Sequence, residues 1–306
     1  MIYKTYIEKS DLNKKILFNG KIKTLGGILK THKDYFNKPP NFLLGINSSS
    51  KIIKGKKLNT FTGVLYLASH TMVAFKTLCP NAIRNGCHID CLVSSGMMRM
   101  KKQQLAMISR TLYYINFRKE FLDQLRLEIN KGYKKYGDNF AVRLNGTSDI
   151  NWKDIISEFP NVQFYDYSKL RGMIKKNPNK NHHYTFSGSM YSDYSRKELK
   201  QAIDEGLNVA IAFNTKESKK DTLKIPKQLF NNKPLVSFDD TDVRFKDKQG
   251  SIGYLRRKGS NIKQRLNDNK QFNNFFVTEA NIHYLTGWKN RSINNACYLS
   301  KTKKKE

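Results

Sequence analysis

The chain has 306 residues, 39% hydrophobic and 12% aromatic, which supplies a sizeable core and excludes a disordered chain. Its 56 lysines and arginines against 25 acidic residues give a net charge of +31, a field that suits nucleic acid or another anionic substrate. No stretch is long and apolar enough to span a bilayer, and residues 1–15 meet charge too often for a signal peptide, so the expectation is a cytoplasmic protein without a membrane partner. Abundant Lys, Asn, Ile, Tyr and Phe also follow from a coding sequence poor in G and C, which leaves part of the charge as a solvated surface.

Residues 1–60 are basic, with turn signals at Gly26, Gly27, Pro39, Pro40 and residues 48–50, and they read as an irregular N-terminal lead-in that packs partly on the main domain. A strand follows at residues 63–68 (GVLYLA), then a cysteine-containing loop at 79–91. Leu105, Ile108, Leu112, Ile115, Leu122, Leu125 and Ile129 step by three, four or seven, which predicts one long amphipathic helix ending near Gly132.

Beyond it, strands are expected at 140–144, 162–165, 183–186 and 209–213, with helices near 152–158, 169–175 and 196–205 between them. Two more strands are expected at 235–238 and 252–255. Alternation of this kind implies a parallel sheet with crossover helices, and about six strands make a partial (β/α) barrel the fold class of choice. The domain reading is a lead-in over 1–60, an α/β partial-barrel domain over 61–258, and a basic C-terminal extension over 259–306 whose KTKKKE end is disordered.

Parallel α/β folds place their sites at the carboxyl ends of strands. Here those ends carry Asn145, Gly146, Thr147, Ser148 and Asp149, then Asp166, Tyr167, Ser168 and Lys169, then Ser187, Gly188 and Ser189. Asn214 and Thr215 follow, and finally Asp239, Asp240, Thr241 and Asp242. Asp149, Ser168 and Ser195 read as helix N-caps. Asn145, Asp166 and Asp239 are the catalytic candidates, and Asn145, Thr147, Ser187 and Asn214 the cofactor-binding candidates. Of the paired His182 and His183, at most one faces any given site, because strand neighbours point to opposite sides.

Cys79, Cys87, Cys91 and Cys297 are too few and too unevenly placed for a disulfide framework. The spacing C-x7-C-x3-C offers three thiolates to a metal, either three irons of a four-iron, four-sulfur cluster or a zinc site completed by His70, His88 or Cys297. Buried cysteines acting as small hydrophobes are the alternative.

The segments GVLYLASHTMVAFKTLCPNAIRNGCHIDCLVSSG, VRLNGTSDI, VQFYDYSKL and HYTFSGS resemble the phage "gene product 88" family over residues 63–259. That resemblance implies a phage or mobile-element origin and brings no activity with it. A cysteine triplet after the first strand of a partial barrel is also similar in architecture to the radical S-adenosylmethionine enzymes. The likeness implies that Cys79, Cys87 and Cys91 hold a four-iron cluster whose open iron takes S-adenosylmethionine. The spacing departs from the C-x3-C-x2-C of that superfamily, and Asn145, Gly146 and Thr147 stand where its glycine-glycine-acidic motif would be.

Three functions follow as expectations. The first is an iron-sulfur redox enzyme using S-adenosylmethionine. The second is a zinc-stapled nucleic-acid-binding protein gripping through Arg99, Lys101, Lys102, Arg256, Arg257 and Lys258. The third is a divalent-metal hydrolase or nuclease built on Asp166, Asp239, Asp240 and Asp242. No nucleophile elbow, phosphate-binding glycine loop or HExxH is present.

Overall fold

The computed structural model describes residues 7–46, 50–54, 58–70, 72, 77–88, 91–94, 96–215, 223–229, 232–257, 275–279 and 281–286. Cys297, Lys258 and most of the C-terminal extension lie outside these residues.

The chain opens with helix α1 (Lys9–Leu12), the hairpin β1 (Lys15–Phe18) and β2 (Lys21–Thr24), and helix α2 (Leu25–Thr31). Asn19 and Gly20 turn the hairpin with φ of 49° and 75°, the left-handed pair that a two-residue connection requires. The Thr24 hydroxyl then accepts from Gly27 N at 3.2 Å and caps α2. Ile16, Phe18, Leu25, Ile28, Leu29 and Phe36 are buried in the same core as the central helices. The lead-in is thus regular structure set into the main core.

Strand β3 (Leu44–Ile46), short helix α3 (Ser50–Ile53) and strand β4 (Phe61–Leu65) follow, so the first expected strand sits two residues earlier than its apolar run suggests. After the cysteine loop come helices α4 (Lys101–Asn116) and α5 (Arg118–Tyr136). The single helix expected here is broken at Phe117, whose φ of −132° and ψ of 59° leave helical space. The apolar stripe runs through the break and hides it. Nor is Gly132 the helix stop: it lies within α5, and a Cβ there would stand 2.1 Å from Cζ of the buried Phe140 ring. The chain turns at Gly137, with φ of 55°. Gly132→Ala is expected to lower stability by about 1–3 kcal/mol, as overpacking does. Urea denaturation measures it, and an unchanged midpoint would mean that the ring gives way freely.

Next come β5 (Phe140–Arg143), α6 (Lys153–Ser157), β6 (Gln163–Ser168), α7 (Arg171–Lys175), β7 (His182–Ser187), α8 (Asp193–Asp204) and β8 (Val209–Phe213). Strands β9 (Leu235–Ser237) and β10 (Ile252–Arg256) complete one eight-stranded sheet in the order β3-β4-β5-β6-β7-β8-β10-β9. Seven strands run parallel, and only the edge strand β3 pairs antiparallel. The two edges, β3 and β9, share no ladder among the described residues. Because β4 to β8 are neighbours in chain order, every loop after a strand opens on the same edge of the sheet.

One core packs α4 and α5 against β4 to β6, and a second packs α8 against β7 to β10. The central strands β4 to β8 are buried on both faces, as a parallel sheet with covering layers demands, while the edge strands β3 and β9 each expose a residue.

Candidate functional site

The cysteine loop is strapped across the carboxyl-terminal edge of the sheet. On one side, Asp149 N donates to Leu78 O at 2.8 Å and the Cys79 thiol reaches Thr147 O at 3.4 Å. The Thr147 hydroxyl in turn bonds to Leu67 O. On the other side, the Ser189 hydroxyl donates to Asn85 O at 2.7 Å, and Ser192 and Ser195 reach Arg84 O. The guanidinium of Arg84 stacks 3.4 Å from the centroid of the Tyr194 ring. Gly86, with φ of 72°, lies under the Tyr191 ring, where a Cβ would come within 2.3 Å of it. The loop therefore bridges the end of β5 to the end of β7.

Cys79, Cys87 and Cys91 are thiols and not disulfides. Burial pushes the Cys79 thiol up to about 12, opposed by a backbone hydrogen bond at His70 and reinforced by Cys91, Cys87 and Asp149. Burial likewise raises Cys87, against the pull of Lys169, with Cys91 and Asp149 adding to the rise. Each of these thiols thus feels its partners. As bare thiols they stay protonated at neutral pH and are poor nucleophiles. The His70 ring contacts Thr77 through Nδ1 at 2.9 Å, His88 Nδ1 lies 3.2 Å from Ala82 O, and the two ring centroids are 6.1 Å apart.

Beneath the loop lies Lys169, which the sequence places at a strand end but outside the catalytic and cofactor-binding candidates. Lys169 Nζ donates to Ser187 O at 2.9 Å and to Ser187 Oγ at 3.1 Å, and it stands 4.7 Å from the Phe275 ring centroid. Burial lowers its pKa, while Cys87, Asp149 and Cys79 act to raise it. Asp149, read from sequence as a cap for its own helix, accepts from Lys169 N at 2.9 Å and from the Ser168 hydroxyl at 2.8 Å. The helix caps are elsewhere, with Trp152 before α6, Leu170 before α7 and Ser192, not Ser195, before α8. The only readable sign of Lys169 was a cationic residue placed directly after an apolar strand.

The remaining candidates divide by location. Thr147 and Ser187 border the cysteine loop and Lys169. Asn145 lies under them, its Oδ1 accepting from Ser148 Oγ at 2.9 Å, Ile150 N at 3.0 Å and Trp152 Nε1 at 3.2 Å. Its amide group donates to Ile150 O at 2.9 Å. Such saturation holds a loop in shape. Asn145→Ala should cost about 3 kcal/mol, because buried donors lose their acceptor. Denaturant unfolding followed by Trp152 fluorescence measures that cost, and a loss below about 1 kcal/mol would show that water replaces the amide.

Asp166 faces the same side of the sheet as Phe164, with Asn145 N at 2.7 Å and His182 Nε2 at 3.2 Å. Asn214 receives Arg257 Nη1 at 2.7 Å. Asp239 accepts from Arg256 N at 2.9 Å, and Asp242 pairs with Arg143 at 2.9 Å. The aspartates expected to share a metal are thus spread over separate partners. Among the described residues, no three His, Cys, Asp or Glu side chains are close enough together to hold a metal ion in this arrangement. The donor set that the loop carries, three free thiols, is of the kind that suits a soft or borderline metal.

A family model described as Gene product 88 matches residues 43–273, and no curated protein or solved structure matches the chain. No helix among the described residues is long and apolar enough to cross a membrane.

Proposed function

The chain belongs to the gene product 88 family, a family of phage gene products, and from that premise we propose that it is a redox enzyme built round a thiolate-held iron-sulfur cluster. The observation that carries this reading is the strapping of the loop that bears Cys79, Cys87 and Cys91 across the carboxyl-terminal edge of a parallel sheet, its cysteines unbridged and two of the thiols raised by burial. Cys79, Cys87 and Cys91 would hold the metal as thiolates, giving up their protons on binding. When bound, the cluster supplies one-electron chemistry.

Three protein ligands would leave one iron of such a cluster open to an exogenous molecule, and S-adenosylmethionine is the one we propose. The chain's own residues do the rest. Ser187 fixes the Lys169 ammonium beside the thiols, where its positive charge offsets theirs. Thr147 and Asp149 tie the cysteine loop to the end of β5. The ring of Tyr191 stands over the loop at Gly86 and that of Phe275 over the Lys169 ammonium.

The site belongs to a partial (β/α) barrel in this reading. Support comes from the segment after β9, which crosses back over the sheet to reach β5 through the Asp242 and Arg143 pair and β6 through the Phe245 and Tyr165 rings, 5.4 Å apart.

Anaerobic purification of the full chain followed by iron, sulfide and zinc analysis tests the proposal. About four irons and four sulfides per chain are expected. Stoichiometric zinc without sulfide would replace the cluster with a structural site, and a metal-free protein would overturn the metal centre altogether.

A further inference from the structure

The basic residues singled out in the sequence do not share one fate. Arg256 is engaged by Asp239 at 3.4 Å and Arg257 by Asn214. Arg99, Lys101 and Lys102 are exposed, and the first turn of α4 contains no acidic residue to offset them. The hairpin adds to this group: Asn19 N at its tip donates to Gln104 Oε1 of α4 at 2.7 Å, which docks the β1–β2 turn on the start of that helix.

Lys21 and Lys23 are exposed along β2. Phe18 at the end of β1 lies against His32, with ring centroids 6.0 Å apart. His32 has its pKa lowered by burial and by the charges of Lys101 and Lys23, so lysines 78 residues apart in the chain face one spot. None of Lys21, Lys23, Arg99, Lys101 or Lys102 has an ion-pair partner among the described residues.

An aromatic residue borders the same face. Tyr35 is 40% exposed, and its carbonyl accepts from Ser109 Oγ at 3.1 Å. The Tyr35 amide donates at 3.0 Å to the carbonyl of His32, the residue that Lys23 and Lys101 face.

We infer that the hairpin, Arg99 and the first turn of α4 form a binding face for single-stranded nucleic acid, in which Lys21, Lys23, Arg99, Lys101 and Lys102 meet the phosphates and Tyr35 stacks on a base. Cations on a rigid strand and helix start, with an aromatic ring beside them, track a sugar-phosphate backbone and offer a platform to any base. An anionic membrane would attract the same charges, but stable attachment adds an apolar helix face lying in the interface, and neither the four-residue strand nor the polar first turn of α4 supplies one. The hairpin precedes residue 43, so part of this face is built outside the family-matched span. The inference stands apart from the metal centre, since it uses none of its residues.

The test is the affinity of the full chain for a labelled oligothymidine of about 20 nucleotides, longer than the usual site, as salt is raised. Binding is expected to weaken steeply with salt, and the double variant Lys23→Gln with Lys101→Gln to flatten the slope by about two and weaken binding about tenfold at low salt. Tyr35→Ala should weaken binding about tenfold as well, and Arg256→Gln should leave it within about twofold. These side chains are exposed, and an unchanged thermal melt of each lysine variant confirms the fold. Wild-type affinity and slope in the lysine variant would overturn the inference. So would displacement of the oligonucleotide by phosphatidylserine vesicles.

Discussion

Replacing Asp242 with alanine is expected to lower the unfolding free energy by about 3–5 kcal/mol, a large part of the margin of an ordinary domain. The carboxylate is buried, with Arg143 Nη1 at 2.9 Å, and the guanidinium is nearly as hidden. Burial works against the charge of Arg143, but Asp242, followed by Tyr167 and Tyr165, holds its pKa above the ordinary value. Burial in turn keeps the Tyr165 and Tyr167 phenols neutral.

Removing Asp242 therefore strands a cation that can neither lose its proton nor reach water. Arg244 sharpens the effect. It lies fully buried beside the same segment, with Asp247 at 3.3 Å and the Phe238 ring centroid at 3.8 Å. Guanidinium denaturation of Asp242→Ala measures the loss, and the pair Asp242→Leu with Arg143→Met should recover most of it, because apolar residues of similar volume replace a buried ion pair well. A loss under about 1 kcal/mol would mean that Arg143 is hydrated and the pair behaves as a surface one.

The second large effect falls on the thiols. Cys79→Ala, Cys87→Ala and Cys91→Ala, each purified anaerobically, are expected to lose nearly all iron and sulfide, since two thiolates cannot hold a cluster that needs three. Asp239→Ala should keep full metal, because the Asp239 carboxylate is engaged with Arg256 and not with the cysteine loop. Equal metal content in all four variants would remove the cysteines from the centre. A chelator should also lower the melting temperature of the wild-type chain and leave the cysteine variants unmoved, because a ligand bound only to the native state stabilises it.

Much of the fold was legible because strands and helices that alternate with clear apolar runs can only be parallel βα units. The strands from Phe140 to Phe213 start within a residue and end within three residues of their expected places for that reason. Asn19 and Gly20 carried a hairpin signal too, but the strands beside them, KILF and KIKT, are only four residues long, too short for a sustained period. The break at Phe117 left no trace, since Ile115 and Leu122 continue the stripe across it. Of the site, the cysteine loop and the edge it occupies were readable from position alone.

The placement of Lys169 and Asp149 was not, because it depends on β5, β6 and β7 lying side by side. The acidic group at 239–242 misled for a similar reason. Its members look like a cluster in the chain, yet Asp239 turns to Arg256, 17 residues away, and Asp242 to Arg143, 99 residues away.

The central claim is that Cys79, Cys87 and Cys91 hold one iron-sulfur cluster, and the native mass of the full chain prepared without oxygen tests it most directly. A species heavier than the polypeptide by one four-iron, four-sulfur cluster, absent from Cys87→Ala, is the predicted result. A wild-type chain that flies at the mass of the bare polypeptide, or with a single zinc ion, would contradict it.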